Sequence, residues 1–272
     1  MTPVHLSISH ETVYQFDRPV RFGLQELRLT PRSSAGQRVV SWETELDGGV
    51  REASFEDQHG NRVELISLTP GRSEVRIHSR GEVDTTDTGG VIAVHDGFTP
   101  LWLFRRPTSL TRPGPGVRDL ARQVGSGAGG SDEVTSMHDL ARRIGEKVAY
   151  TVGRTHVGST AEEVLEAGHG VCQDHAHLFI STARELGHPA RYVSGYLLMD
   201  DRIDQDASHG WAEVWLDELG WVGFDISNGI CPDDRYVRVA TGLDYREAAP
   251  ISGLREGEGG EHLSVAVQVQ QQ

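Results

Sequence analysis

The most restrictive stretch for the fold lies late in the chain, where residues 208–229 read SHGWAEVWLDELGWVGFDISNG. Two β-rich runs, His209–Leu216 and Trp221–Ile226, flank Asp217-Glu218-Leu219-Gly220 and predict a β-hairpin. Successive strand side chains point to opposite faces, so alternation sorts the residues. Val214, Leu216, Val222, Phe224 and Ile226 form one apolar face that needs a covering layer. His209, Trp211, Glu213, Trp215, Trp221, Gly223 and Asp225 point the other way. His209 and Asp225 therefore share a face on neighbouring strands. They meet if Asp225 lies opposite about Trp211, which demands an odd-length loop or a bulge near Gly220.

The cover is supplied by GHGVCQDHAHLFISTARELG, residues 168–187. Gly168 ends a preceding helix, whose start carries a capping box of Ser159 with Glu162. Gly170 allows a tight turn, and the next helix runs from about Cys172 to the stop at Gly187-His188-Pro189. Its apolar stripe is Ala176, Phe179, Ile180, Ala183 and Leu186, with Cys172 on the same stripe in the first turn. There the unpaired N–H groups and the helix dipole favour an anion, the setting in which a thiol becomes a thiolate. Two blander readings stand beside this one. A free cysteine commonly packs as a small hydrophobe. Cys172, His175 and His177 are also all zinc-ligand types, but residues 172 and 177 differ by about 140° around a helix axis, which splays them. A nucleophilic cysteine needs a base and the base an orienting group. One histidine among thirteen proves little. A first-turn Cys, a strand His and a same-face Asp together fit a Cys172–His209–Asp225 triad, with the Cys172 N–H as one oxyanion donor.

The first third reads as strands: VHLSISHETVYQF, LQELRLTP, VVSWETEL, ASFEDQHGNRVELISL and SEVRIHSRGEV. Gly60-Asn61 marks a hairpin, and short strands at regular spacing predict a β-sandwich. PTSLTRPGPG then reads as a linker, VRDLARQVG as a short helix and GSGAGGSDE as a flexible loop. Met137, Leu140, Ile144 and Val148 follow at helical spacing, and LSVAVQVQ near the end returns to strand alternation. The chain has 272 residues and a net charge of −14. That charge argues against nucleic acid or an anionic membrane as a partner. No apolar run approaches the roughly 20 residues that span a bilayer. MTPVHLSISHETVY has no basic or apolar leader pattern, so no signal peptide is expected. With only two cysteines, Cys172 and Cys231, free thiols in a reducing cytoplasm are expected. No Asp-x-Asp-x-Asp-Gly calcium loop is evident.

GVCQDHAHLFISTARELGHPARYVSGYL, followed by ASHGWAEVWLDELGWVGFDISNG, strongly resembles the bacterial transglutaminase-like superfamily. HETVYQF, LRLTPR and HGNRV resemble the β-rich region that often precedes that core. The resemblance implies an α+β chain: an N-terminal antiparallel β-sandwich over 1–107, then a papain-like, transglutaminase-like core over 108–272. In that core a cysteine helix packs on an antiparallel sheet. Carried over by residue, Cys172 matches the nucleophile, His209 the base and Asp225 the orienting acid. The family implies acyl transfer from a peptide or protein amide through a thioester. Water as acceptor, giving a peptidase or amidase, is the first expectation. Transfer to an amine, as in protein-glutamine crosslinking, is the second, and a non-catalytic peptide-binding scaffold the third. No cofactor and no metal are implied. FDISNG departs from the family's common Asp-Pro-Thr, and SHGW from its common Ala after the His, so Gly210 is expected to loosen the strand beside His209. Tyr150, Asp174, His175 and Trp211 are expected to border the cleft and touch substrate, with Trp211, Trp215 and Trp221 shielding the ion pair. Cys231 is expected to be structural.

Overall fold

Alternating apolar residues through the first 85 positions become six antiparallel strands in the computed structural model, which describes residues 2–92, 95, 98–127 and 132–272. They are β1 (Val4–Phe16), β2 (Phe22–Thr30), β3 (Gln37–Asp47), β4 (Gly49–Glu56), β5 (Arg62–Leu68) and β6 (Glu74–Thr85). The β4–β5 connection turns at Gly60, φ 77°. Asp57 accepts from the backbone N–H groups of His59 and Asn61, each at 2.9 Å, which fixes the turn locally. A 3₁₀ turn (Leu101–Arg105) leads to α1 (Pro115–Gly127), α2 (Glu133–Lys147), β7 (Ala149–Tyr150), α3 (Ala161–Ala167), β8 (His169–Gly170) and α4 (Cys172–Glu185). Then come β9 (Ala190–Leu197), β10 (Asp204–Gln205), β11 (His209–Leu216), β12 (Gly220–Phe224), β13 (Tyr236–Gly242), α5 (Tyr245–Ala248), β14 (Ile251–Glu256) and β15 (Glu261–Gln271). Of the expected GSGAGGSDE loop, residues 128–131 lie outside the described residues, and its start belongs to α1.

The expected boundary at 107/108 needs correction. The last two strands return to the first third: β15 pairs with β1, Leu6↔Gln271 to Phe16↔Glu261, and β14 pairs with β2. The sandwich consists of sheets β10-β15-β1-β6-β3 and β14-β2-β5-β4, so it is built from both ends of the chain. Local periodicity specifies a strand but not its partner, which is why the division read as sequential.

The second unit is the sheet β12-β11-β9-β13 with α4 against it. Ala176, Phe179, Ile180 and Ala183 are fully buried, together with Ala212, Val214 and Phe224 from the sheet. Burying Phe179 or Ile180 contributes about 1.5–3 kcal/mol each. The helix is not one-sided, however. Every residue from Asp174 to Arg184 is buried, because α1, α2 and α3 pack around it. Its polar residues need partners there. Arg184 donates to the carbonyls of Phe104 (2.7 Å), Ala190 (2.8 Å) and Leu243 (2.7 Å), while burial lowers its pKa to about 10.

The two units meet along β13, an edge strand. Gln37 pairs with the Arg238 backbone through both its amide atoms, at 2.9 and 2.8 Å. Asn61 does the same at Thr241, at 2.7 and 2.8 Å. Two side-chain amides thus satisfy backbone groups that an exposed edge would leave open. Tyr196 adds an apolar contact with Leu6, Ile8 and Val269, and its hydroxyl meets His10 Nδ1 at 2.9 Å.

Candidate active site

The segment entering α4 is held from both sides. Gly168 closes α3 in the left-handed region, φ 69°, and β7 runs parallel to β8, pairing Tyr150 with Gly170. The capping box of α3 falls one residue later than expected. Thr160 and Glu163 form it, with Thr160 N–H to Glu163 at 2.9 Å and Glu163 N–H to Thr160 at 3.3 Å. Ser159–Glu162 has the same spacing, so local pattern cannot choose between them. Glu162 instead crosses to α1 and accepts from the N–H groups of Gly114, Gly116 and Val117 at 3.0, 2.6 and 3.1 Å. A carboxylate there complements the positive end of the helix.

Cys172, half-buried, is the first residue of α4. Two of the residues expected to touch substrate serve this turn instead, and both assignments are corrected. Asp174 is buried; its Oδ2 accepts from Val171 N–H (2.8 Å) and Thr155 Oγ1 (2.6 Å), capping the helix start. His175 is buried as well, with Nε2 donating to the Val148 carbonyl at 2.9 Å and Nδ1 accepting from Ser227 Oγ at 3.0 Å. Both ring nitrogens are used, which leaves none for a metal or a substrate. His177 Nε2 accepts from the Tyr245 N–H at 3.1 Å. The zinc reading of Cys172, His175 and His177 has no geometry to support it.

On the sheet, β11 pairs with β12 from Ala212↔Phe224 to Leu216↔Gly220. Asp217, Glu218 and Leu219 form the odd-length loop, and Gly220 takes φ 81°. Extending that register sets Asp225 opposite Trp211, diagonal to His209. His209 Nε2 meets Asp225 Oδ2 at 2.6 Å. The same oxygen accepts from Asn228 Nδ2 (2.7 Å) and Tyr236 Oη (2.8 Å), while Oδ1 accepts from Asn228 N–H (3.2 Å). Asn228 belongs to the turn after Asp225, where an Asx-type bond is readable from sequence. Tyr236 arrives on β13, eleven residues away, with no local signal.

Burial is the strongest influence on His209 and opposes its charge. Hydrogen bonds to Asp225 and Cys172, with their negative charge, outweigh it and push the imidazole up to about 10. Burial likewise favours protonated Asp225, but hydrogen bonds from His209, Asn228 and Tyr236 and the imidazolium charge hold it below the usual carboxylate range. The pair is ionised, with Nε2 committed to Asp225 and Nδ1 left for the sulfur.

Trp211 is buried and stacks on His209 at 6.1 Å between ring centroids. It shields the pair and does not line the open cleft, which corrects its assignment to substrate. Trp215 and Trp221 do not shield it; they pack at the far end of the hairpin, where Trp221 meets Phe104 at 5.1 Å. Tyr150 is exposed and borders a cleft of about 630 Å³ with Met199, Arg202, His209, Asn228 and Ile230. Gly90 packs against Cys231: a Cβ there would lie 2.8 Å from that of Cys231. Burial raises the Cys231 thiol.

Comparison with known proteins agrees with this architecture. Residues 118–226 match the transglutaminase-like superfamily, and residues 6–84 match the bacterial transglutaminase-like N-terminal region. An uncharacterized protein of Mycobacterium tuberculosis is 31% identical over 272 residues, covering 91% of this chain and 86% of its own. A protein-glutamine gamma-glutamyltransferase of Pseudomonas aeruginosa is 28% identical over 130 residues, 40% of this chain and 18% of its own. A candidate cysteine protease of Cytophaga hutchinsonii has the same fold, with a TM-score of 0.78 at 20% identity over 100% of this chain and 91% of that one. On the two family matches and the near full-length mycobacterial relative, the chain belongs to the transglutaminase-like superfamily.

Proposed function

We propose that the chain is a cysteine enzyme that cleaves a peptide or carboxamide bond by acyl transfer to Cys172 and then to water. The observation carrying this reading is the 2.6 Å His209–Asp225 bond, set beside a cysteine at a helix N-terminus. In the resting site the thiol proton already sits on His209, leaving Cys172 as the thiolate of an ion pair, while Asp225 orients and stabilises the imidazolium. The Cys172 sulfur attacks the carbonyl carbon, and collapse of the tetrahedral intermediate breaks the C–N bond. The leaving amine takes the proton from His209. Water, deprotonated by His209, then cleaves the thioester and restores the thiol. A second acceptor, an amine, is favoured by the likeness to the Pseudomonas aeruginosa enzyme.

Iodoacetamide at pH 6–7, read by mass spectrometry, tests the nucleophile: Cys172 should alkylate far faster than Cys231. Equal rates in folded protein would remove the assignment. Trapping thioesters from a panel of peptides and amides, with and without a competing primary amine, then separates hydrolysis from transfer.

A further inference from the structure

The departure at Gly210 has a counterpart across the sheet. Tyr192 lies opposite Ala212 in the β9–β11 register, so Gly210 is its diagonal neighbour on the face beneath α4. A Cβ built on Gly210 would fall 2.0 Å from the Tyr192 hydroxyl oxygen and 2.8 Å from Cζ. The hydroxyl therefore fills the space that a side chain at 210 would need, next to His209. The ring is fixed there by His177 (5.2 Å between centroids, 47°) and Tyr245 (5.8 Å, 83°). Tyr192 is only 2% exposed.

We propose that the Tyr192 hydroxyl, seated over Gly210, donates a hydrogen bond to the oxyanion formed when Cys172 attacks its substrate. This rests on the acyl-transfer reading above. As the C–S bond forms, the carbonyl π pair moves to oxygen. That oxygen accepts from Tyr192 and from the Cys172 N–H, which lies in the first helical turn and has no intrahelical partner. Collapse re-forms the C=O bond and expels the leaving group. Burial, followed by the charge on Cys172, raises the Tyr192 phenol well above its ordinary value, so it keeps its proton and acts as a donor.

The test uses p-nitrophenyl acetate, whose acyl transfer to Cys172 releases nitrophenolate in a burst. It is compared with alkylation by iodoacetamide, a displacement that forms no oxyanion. Tyr192→Phe should slow the burst about 100-fold while leaving the alkylation rate and its pH profile unchanged. Gly210→Ala, which displaces the hydroxyl, should slow the burst similarly, and the double variant should be little worse than either single one. If Tyr192→Phe does not fold, Gly210→Ala reports alone. An unchanged burst overturns the donor, and so does an equal slowing of burst and alkylation. Absence of a burst in the wild type, or its survival in Cys172→Ala, overturns the acyl-transfer reading itself. A wild-type burst indifferent to both substitutions overturns only Tyr192.

Discussion

Two buried charge clusters sit on one face of β11, four residues apart, and they differ in kind. At His209 the partner is Asp225, and the imidazole borders the cleft. At Glu213, fully buried, the partners are guanidinium groups: Arg191 at 2.6 Å and Arg238 at 2.9 Å. Arg191 also lies 3.9 Å from the Trp221 ring centroid. Burial presses Glu213 toward its neutral form, but the two guanidinium charges hold its pKa below the usual range. Guanidinium does not release a proton in a protein, so the second cluster joins strands and moves nothing. Imidazole exchanges its proton, and His209 borders the cleft shared with Tyr150. The same strand face thus carries a structural and a chemical ion pair, told apart by residue type.

The sharpest break between them is in turnover. His209→Ala should lower activity per folded molecule by at least about 10³-fold, because base and acid are lost together. Asp225→Asn should cost less, about 100-fold, since it orients without transferring the proton. Thermal melting is the control. Near wild-type activity in a well-folded His209→Ala would dismiss the triad. Glu213→Ala should do the reverse: lose about 3–5 kcal/mol of stability by stripping two guanidinium groups of their carboxylate, with activity per folded molecule kept. Denaturant titration beside a normalised rate checks it, and a specific activity loss there would blur the contrast.

Much of this was legible in the sequence. Alternation in 209–226 sorted both faces, and the odd loop that pairs Asp225 with Trp211 followed from requiring the two residues to meet. The stripe on α4 located the covering helix. What was not legible came from other strands. Asp174 and His175 look like site residues by type and place, and only their partners, Val171, Thr155, Val148 and Ser227, show that they build the turn. Tyr192 and Tyr236 reach the site by β9 and β13 pairing, which no local pattern encodes. The return of β14 and β15 to the sandwich depends on the same kind of long-range pairing.

A smaller effect separates the clusters by pH. His209, raised from 6.5 to about 10, binds its proton more tightly folded than unfolded. Its contribution to stability is complete below pH 6.5 and is lost as pH rises through 10. Glu213, held low, contributes above the ordinary carboxylate range and loses that only in acid. The melting difference between wild type and His209→Gln should therefore shrink from pH 6.5 to 10, while that of Glu213→Gln stays level. Two level curves would mean that His209 carries no extra proton in the folded protein.

The finest distinction lies within the His209 cluster, between a local and a distant donor to Asp225. Asn228 bonds both carboxylate oxygens from the next turn, so it holds Asp225 whatever β13 does. Tyr236 adds one bond of 2.8 Å from the strand that docks on the sandwich. Tyr236→Phe keeps the ring beside His209 and Trp211 and removes only the hydroxyl. It should cost about 1 kcal/mol of stability, the worth of one hydrogen bond. Turnover should fall only a few-fold, because His209 and Asn228 still fix the carboxylate. With one donor gone, more of the Asp225 charge acts on the imidazolium, so the upper limb of the pH–rate profile should move upward. A loss as large as that of Asp225→Asn would show that Asp225 depends on β13 for its position. The site would then be shared between the two units of the chain and not confined to the hairpin and its helix.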